Sequence, residues 1–292
     1  MEILNGKELS ARLKNKIAEQ IATDYLEKGK QPPALACVLV GDDPASKIYV
    51  ASKEKACRAV GMGSIIRVLP ANSTEQEVES CIKELAADNS VSAILLQLPL
   101  PRGLNERKIL NSIPPQKDAD ALTDICLGKL FSKTHTIAPC TASGIMELLK
   151  DKQIEISGKR AVVIGRSLLV GKSVANLLEQ ANATVTICHS KTQNLDQIAS
   201  QADILIVAIG KPNFVTPNMV KTGAVVIDVG INRTENGIVG DVDYSSVAPK
   251  CSYITPVPGG VGPMTIAMLL SNTLTLAKEQ EKMKEKNSEH SR

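Results

Sequence analysis

The sequence is poor in aromatic residues and in histidine, and it contains no tryptophan. Its 292 residues include two Phe, four Tyr and three His. The scarcity of aromatic side chains argues against a surface that stacks nucleic-acid bases, and a net charge of +3 is too small to indicate a basic nucleic-acid surface. Because neither an H-E-x-x-H pair nor a Cys/His cluster occurs, we expect no metal site. The cores must be aliphatic, as in parallel sheets.

Long apolar runs and closely paired cysteines are also missing. No apolar segment approaches the ~20 residues of a membrane span, so we expect no membrane partner. The seven cysteines are scattered without a C-x-x-C pair, and several lie inside apolar runs such as "ALACVLV" and "TVTICHS". No signal peptide is recognised, and an odd number of cysteines predicts buried thiols in a reducing cytoplasm.

What the sequence does contain is an alternation of β-branched runs and amphipathic segments. A first helix is predicted by apolar residues that recur every four positions: Leu9, Leu13, Ile17, Ile21 and Tyr25. Further helices are predicted from about 46, and at 73–88, 104–112, 143–150, 171–180, 194–200 and 264–278. Strands are predicted at 34–40, 64–70, 92–99, 160–165, 183–188, 203–209, 224–229 and 251–255. This order predicts parallel sheets with right-handed crossovers.

The predicted fold class is α/β, with two three-layer α/β domains and a cleft between them. We assign residues 1–142, with a C-terminal helix at about 264–280, to a catalytic domain. Residues 143–263 form the second, Rossmann-like dinucleotide-binding domain, and 281–292 are expected to be a flexible tail.

One segment, "AVVIGRSLLVGKSVANLL" at 161–178, is partly typical of a dinucleotide site. Gly165 follows a strand and Gly171 opens a helix, but Ser167 replaces the middle glycine of the usual G-x-G-x-x-G. Free amides at the helix start would favour an anion. Since a strand, a glycine turn and a helix occur in any α/β protein, this segment alone does not establish a nucleotide site.

The following strand indicates which dinucleotide would bind. NAD-binding units usually place Asp or Glu about 20 residues further on, whereas this strand ends in "ICHSKT". Ser190 and Lys191 would accept a 2′-phosphate that a carboxylate would repel, and Arg166 could reach the same group. These residues favour NADP over NAD; the alternative is an exposed loop with ordinary polar side chains.

A second group of polar residues follows the strands of the first half. Tyr49 and Lys53 are four residues apart on one helix face, and Gln97 lies in an apolar run where its amide requires a partner. Asp118 and Asp120 follow in "QKDADAL". These side chains could meet beyond the carboxyl ends of the strands. The alternatives are a solvated lysine, a half-buried tyrosine and two turn carboxylates.

Several motifs together resemble one family in order and spacing. They are "VGDDPASKIYVASKEKACRAVGM", "LLQLPLP", "KDADAL", "GRSLLVGKSVANLL", "ATVTICHSKT", "VVIDVGIN" and "TPVPGGVGPMTIAMLLSNT". The chain resembles the bifunctional methylenetetrahydrofolate dehydrogenase/methenyltetrahydrofolate cyclohydrolase family over residues 2–278. The resemblance implies NADP-dependent oxidation of 5,10-methylenetetrahydrofolate to the 5,10-methenyl cation, and its hydrolysis to 10-formyltetrahydrofolate. It also implies a cytoplasmic homodimer that serves one-carbon metabolism and purine biosynthesis.

The resemblance further implies roles for individual residues. Lys53 would activate water or accept a proton in the hydrolysis, Gln97 would hold the lysine amine, and Tyr49 would stack on the aminobenzoate ring. Asp120 would pair with the pterin. Two glycines would let the backbone approach the folate: Gly259 and Gly260. The residues expected to line NADP are Gly165, Arg166, Ser167, Ser190, Lys191 and Ile231, of which Lys191 follows from its charge alone.

Three residues depart from the family pattern. Ala121 stands where the family has glycine, and a positive φ there would cost about 1 kcal/mol or more. Ala142 and Ser173 each replace a proline. If Ala121 displaced Asp120, the protein would be a dehydrogenase without cyclohydrolase activity. A non-catalytic protein that binds folate or NADP is the second alternative, and the intact Lys53 and Gln97 argue against it.

Overall fold

The computed structural model describes residues 1–235 and 237–290, and the chain divides into two compact units. The six-stranded unit comprises Met1–Arg12, Leu130–Thr134 and Pro139–Met268. The three-stranded unit comprises Leu13–Lys129, His135–Ala138 and the chain from Leu269 onward. Among the described residues no helix is long and apolar enough to span a membrane.

The strands are β1 (Glu2–Ile3), β2 (Ala34–Val40), β3 (Gly63–Leu69), β4 (Ala93–Leu96), β5 (Arg160–Ile164), β6 (Thr184–Cys188), β7 (Ile204–Val207), β8 (Val225–Asp228), β9 (Asn232–Thr234), β10 (Gly237–Val239) and β11 (Tyr253–Ile254). The α-helices are α1 (Gly6–Ile21), α2 (Pro44–Ala59), α3 (Glu75–Ala87), α4 (Glu106–Leu110), α5 (Asp124–Phe131), α6 (Cys140–Asp151), α7 (Ser173–Gln180), α8 (Leu195–Ala199), α9 (Tyr244–Val247) and α10 (Val261–His290).

The three-stranded unit is built on a parallel sheet of order β3-β2-β4. The central strand β2 is buried along its whole length, as its uninterrupted apolar sequence predicts. Helix α3 begins at a capping box, in which Thr74 and Glu77 each accept the other's backbone N–H. A core of aliphatic side chains from β2, β4, α3 and α4 fixes these elements around the sheet.

The six-stranded unit is built on a sheet of order β1-β11-β8-β7-β5-β6, in which every pairing is parallel. The strand order reverses at β5, whose neighbours are β6 and β7. Parallel α/β sheets bind ligands beyond the carboxyl ends of the strands at such a reversal. The parallel α/β class predicted from sequence is confirmed, and its second unit carries the expected Rossmann-like sheet.

Several elements differ from the sequence prediction. Strand β1 pairs with β11, which places residues 1–12 with the six-stranded unit rather than with the first domain. The short hairpin of β9 and β10 and the helices α5 and α9 were not predicted. Helix α10 extends to His290, well beyond the predicted end at 278, because no Gly or Pro interrupts its Lys- and Glu-rich end. Residues 291 and 292 of the expected tail lie outside the described residues.

All seven cysteines are buried, as their apolar surroundings predict. Burial raises the pKa of Cys37 to about 11 and that of Cys57 to about 12. It also raises the pKa of Cys126 to about 12 and that of Cys251 to about 11. These thiols are therefore protonated at neutral pH and act as small apolar core groups.

Candidate active site

The predicted pair of Lys53 and Gln97 meets in the three-stranded unit. Lys53 Nζ donates to Gln97 Oε1 at 2.9 Å, and Gln97 Nε2 donates to the backbone oxygen of Leu98 at 2.6 Å. Gln97 is only 7% exposed and directly follows β4, whereas Lys53 is half-buried on α2. The buried amide thus has a partner for both its oxygen and its nitrogen, and it holds the lysine amine in one place.

Tyr49 and Asp120 lie in the same unit as this pair. Tyr49 precedes Lys53 by one helical turn on α2, and it is 41% exposed, so its ring is available to a ligand. The charges of Asp120 and Lys53 both affect the pKa of Cys37, in the middle of β2. The carboxylate raises the pKa of that thiol, and the amine lowers it. The aspartate and the lysine therefore both lie within electrostatic range of Cys37 on the central strand.

The loop that carries Asp120 is closed by the neighbouring carboxylate. Asp118 Oδ2 accepts from Thr123 N at 2.8 Å, and burial raises the pKa of this carboxyl. Asp118 is thus a structural residue of the loop, in agreement with the alternative considered for it from sequence. On the other side of the loop, Asn272 Nδ2 donates to the backbone oxygen of Ala119 at 2.9 Å.

Ala121 adopts the conformation that makes its departure from the family pattern costly. Its φ is +54° and its side chain is fully buried, a backbone region that costs a non-glycine residue about 1–2 kcal/mol. Its amide donates to the backbone oxygen of Asp118 at 3.2 Å. The surrounding hydrogen bonds hold this strained turn, so Asp120 remains in an ordered loop.

The turn after β5 lies where the strand order of the six-stranded sheet reverses. Gly165 has a φ of +131°, and a Cβ added to it would lie 2.3 Å from the backbone oxygen of Ala208. A Cβ at Gly171 would lie 2.3 Å from the backbone oxygen of Gly165. The first glycine is thus required by backbone conformation, and the second by the close packing of the helical turn on the strand end.

Two serines organise the helix entry that follows. Ser167 Oγ accepts from Val170 N at 3.2 Å and caps a π-helical turn over Leu168–Lys172, so helical structure begins before Gly171. Ser173 Oγ donates to the backbone oxygen of Leu168 at 2.5 Å and is buried. The serine that replaces the family's proline therefore bonds a carbonyl of the π-helical turn.

The ends of β5 and β6 present exposed hydrogen-bond donors side by side. Ile164 and Cys188, the last residues of the two strands, are direct partners in the sheet. Beyond them Arg166, Ser190 and Lys191 are exposed, and neither "GRSL" nor "HSKT" contains a carboxylate. This set of donors fits the phosphates of a dinucleotide, and its charge fits an additional 2′-phosphate.

Two buried carboxylates that sequence reasoning did not select lie behind the turns after β7 and β8. Asp228 accepts three backbone N–H groups, and burial raises the pKa of its carboxyl to about 6. Asp241 is fully buried and accepts from the amides of Ile209, Gly210 and Lys211. The signal available in the sequence for Asp241 was "GDVD", which also fits an ordinary turn. In the turn after β8, Ile231 is 48% exposed, as a residue that lines a ligand would be.

The glycine pair before α10 also lies in the six-stranded unit. Gly259 has a φ of +111°, and its backbone oxygen accepts from Lys7 N at 2.9 Å. A Cβ at Gly260 would lie 2.6 Å from the backbone oxygen of Pro256. The structure therefore explains both glycines through the chain's own turn, and their approach to folate stays a prediction.

Comparison with known proteins bears on both units. The family model described as "Tetrahydrofolate dehydrogenase/cyclohydrolase, catalytic domain" matches residues 4–120. The model described as "Tetrahydrofolate dehydrogenase/cyclohydrolase, NAD(P)-binding domain" matches residues 139–281. The bifunctional protein FolD of Campylobacter hominis is 55% identical over 281 residues, which cover 96% of this chain and 98% of that protein.

Solved structures give the same result. The bifunctional FolD enzyme of Campylobacter jejuni is 48% identical with a TM-score of 0.94, and the match covers 96% of this chain and 99% of that one. The Trypanosoma brucei dehydrogenase-cyclohydrolase, solved with NADP and an inhibitor, is 38% identical with a TM-score of 0.90, over 94% and 97% of the two chains. The resemblance seen in the sequence is confirmed: the chain belongs to the tetrahydrofolate dehydrogenase/cyclohydrolase family and is a bifunctional enzyme of that family.

Proposed function

We propose that the enzyme oxidises 5,10-methylenetetrahydrofolate with NADP⁺ and hydrolyses the methenyl product to 10-formyltetrahydrofolate, with Lys53 as the proton-transfer residue of the second reaction. The observation that carries this assignment is the bond from Lys53 Nζ to Gln97 Oε1, at 2.9 Å. A hydrogen bond to a buried amide restricts a lysine side chain to one conformation, as a catalytic group requires, whereas a solvated surface lysine samples many rotamers.

In the hydrolysis, water adds to the methenyl carbon and the hydrated ring then opens. The addition releases a proton from water, and ring opening requires a proton on the departing nitrogen. The Lys53 amine carries protons between these steps, while Gln97 keeps it directed. Gln97 keeps its own orientation because its nitrogen is bound to the backbone oxygen of Leu98.

Folate binding in the three-stranded unit is assigned to Tyr49 and Asp120. The exposed ring of Tyr49, one turn from Lys53, offers a face on which the aminobenzoate ring stacks. Asp120 accepts two parallel N–H bonds from the pterin's amino-pyrimidine edge, a charge-assisted pairing worth ~1.5–3 kcal/mol per bond. Its loop is ordered by Asp118 and Asn272, which supports the bifunctional assignment over a dehydrogenase without cyclohydrolase activity.

The six-stranded unit supplies the dinucleotide site. NADP⁺, when bound, accepts the hydride from the methylene carbon. Arg166, Ser190 and Lys191 would hold its 2′-phosphate, and Gly165, directly after β5, and Ile231, three residues after β8, would line the dinucleotide. Ser167 keeps a hydroxyl hydrogen to donate, because the bonds at the helix entry use only its oxygen.

We also propose a cytoplasmic homodimer that supplies formyl groups to purine biosynthesis. The support for the homodimer is β6, which lies at one edge of the six-stranded sheet with Ile187 40% exposed. An edge strand with an apolar side chain facing outward can pair with a second copy of itself. Buried cysteine thiols agree with a reducing compartment.

The test is to assay wild type and Lys53→Met separately in the two reactions. The cyclohydrolase reaction is followed from methenyltetrahydrofolate without a dinucleotide, so it is independent of the first step. We expect Lys53→Met to lose at least about 10³-fold in cyclohydrolase kcat, within the range of positioned acid–base groups. NADPH affinity should stay within about twofold, because the variant leaves the six-stranded unit untouched.

Lys55→Met is the matched control. It removes the same charge from α2, but Lys55 is exposed and lies two residues away from Lys53 along the chain. Full cyclohydrolase activity in Lys53→Met, or an equal loss in Lys55→Met, would contradict the assignment. Binding of folate and NADP⁺ without turnover by wild type would instead support the non-catalytic alternative.

A further inference from the structure

The buried carboxylate of Asp241 joins two turns of the six-stranded unit that are far apart in sequence. Its Oδ2 accepts from Ile209 N at 2.7 Å and from Gly210 N at 2.9 Å, in the turn after β7. Its Oδ1 accepts from Lys211 N at 2.8 Å and from Asn232 Nδ2 at 2.9 Å. Both turns leave the carboxyl edge of the sheet, next to the site proposed for the dinucleotide.

The backbone around Asp241 is held without the help of its side chain. Asp241 O accepts from Val215 N at 3.0 Å, Val215 O accepts from Asp243 N at 2.9 Å, and Gly240 O accepts from Asn213 N at 3.1 Å. These bonds form a short parallel bridge between two segments of the chain. Main-chain hydrogen bonds thus position residue 241, and its carboxylate is used entirely for hydrogen bonds to the turns after β7 and β8.

A second carboxylate supports the first. Asp228 accepts from Asp241 N and Val242 N, both at 2.9 Å, so it directs the backbone that carries the Asp241 side chain. Two glycines make room for the pair: a Cβ at Gly230 would lie 2.3 Å from Asp241 Oδ1, and a Cβ at Gly240 would lie 1.8 Å from Asp228 Oδ2.

The partners of Asp241 lie beside proposed dinucleotide contacts. Asn232 directly follows the exposed Ile231, so the bond to Asn232 Nδ2 restrains the residue that lines the site after β8. The turn after β7 also begins at Ala208, whose backbone oxygen lies against Gly165. Because the amides of residues 209–211 are bound to a carboxylate, they are not available to an anionic phosphate, and the turn contributes shape rather than charge.

We propose that Asp241 is a positioning residue of the dinucleotide site, which holds the turns after β7 and β8 so that both present fixed walls to the cofactor. This inference rests on the proposed function, since it takes the site at Gly165 and Ile231 to be the dinucleotide site. A flexible wall would have to be ordered at each binding event, and that entropy would weaken affinity.

Asp241→Asn tests the inference, because an amide replaces one carboxylate oxygen with a donor and leaves two amide groups without an acceptor. We expect the dissociation constant of NADPH, measured by isothermal titration calorimetry, and the KM for NADP⁺ to rise at least about tenfold. The dehydrogenase kcat should change by less than about threefold, the signature of binding lost equally in the ground state and the transition state. The cyclohydrolase rate without a dinucleotide should match wild type.

Two further variants separate positioning from folding. Asp243→Asn removes the same charge two residues away, where the carboxylate accepts from Ser245 Oγ instead of from the turns, and it should bind NADPH like wild type. Asn232→Ala removes one donor to Asp241 and leaves the three backbone amides in place. It should raise the NADPH dissociation constant about two- to fivefold, and it decides the question if Asp241→Asn does not fold.

An unchanged NADPH dissociation constant in a folded Asp241→Asn, or in Asn232→Ala, would overturn the inference. So would an equal loss of cyclohydrolase activity, since that would indicate general destabilisation. A different result would contradict the proposed cofactor preference, namely tighter binding of NADH than of NADPH by wild type. The same variants would then be compared with NADH, and their effect would still decide the role of Asp241.

Discussion

In the three-stranded sheet β2 lies between β3 and β4, and in the six-stranded sheet β5 lies between β6 and β7. In each unit the strand order therefore reverses at the first strand of a βαβαβ segment, which is β2 in one unit and β5 in the other. The two reversals are used differently. Beyond β2 and β4 the functional groups are side chains that bond to each other, as Lys53 does to Gln97. Beyond β5 and β7 the backbone turns are packed tightly on one another, through glycines that permit this close approach, and the candidate phosphate donors lie exposed beside them.

This difference determines how each site responds to substitution. A side-chain site is lost when one functional group is removed, even if the fold is intact. A site lined by backbone turns depends on groups that do not contact the ligand, such as Asp241. Its affinity is expected to fall in smaller steps, as the hydrogen bonds that hold the turns are removed one at a time. The largest effects are therefore expected in the three-stranded unit.

After Lys53→Met, the largest effect is expected for Gln97→Leu. The change keeps the side chain's approximate volume but leaves the Lys53 amine without its partner, so cyclohydrolase kcat should fall about 10²-fold. The NADPH dissociation constant, measured by calorimetry, should match wild type. A loss of both properties would mean that the two units do not respond independently.

An intermediate effect is expected for Arg166→Ala in the six-stranded unit. The ratio of kcat/KM for NADP⁺ to that for NAD⁺ should fall about tenfold, because one charge-assisted partner of the 2′-phosphate is lost. Cyclohydrolase activity should not change. Arg160→Ala is the control, since it removes the same charge from the opposite end of β5. Equal use of both dinucleotides by wild type would refute the proposed phosphate site.

The smallest effect concerns the strain at Ala121 and is measured as a free energy of unfolding. Ala121→Gly and Ala119→Gly each remove a fully buried methyl group from the same loop, but only residue 121 has a positive φ. We expect Ala121→Gly to be more stable than Ala119→Gly by about 1 kcal/mol, the cost of the left-handed conformation. Chemical denaturation monitored by circular dichroism gives the comparison. Equal stabilities would show that the strain is relieved elsewhere.

The sequence predicted most of the regular structure where the hydrophobic pattern was uninterrupted. Strand β2 has the bounds predicted for it, because every residue from 34 to 40 is apolar and buried. Strand β1 was missed because two residues carry no periodicity, and its place is set by pairing with β11, about 250 residues away. The sequence prediction ends α10 too early because a polar segment resembles a solvated chain end, whereas Lys and Glu are good helix formers.

For the site, residue type was informative only where the side chain itself acts. An amide in an apolar run requires a partner, which marks Gln97 in the sequence, and the structure supplies that partner in Lys53. The role of Lys53 itself follows from the family resemblance. Asp241 was missed because its partners are amides about 30 residues earlier in the chain. Backbone amides are the same at every position, so no sequence pattern marks the turn that a distant carboxylate holds.

The distribution of the buried cysteines offers a way to observe the two units separately. Cys37, Cys57, Cys81 and Cys126 belong to the three-stranded unit, and Cys140, Cys188 and Cys251 to the six-stranded unit. Because each thiol is shielded in the native state, an alkylating reagent reacts only when the surrounding structure opens. Mass spectrometry of the alkylated peptides would therefore report the opening rate of each unit within one unmodified chain, and would show which unit a bound ligand makes rigid.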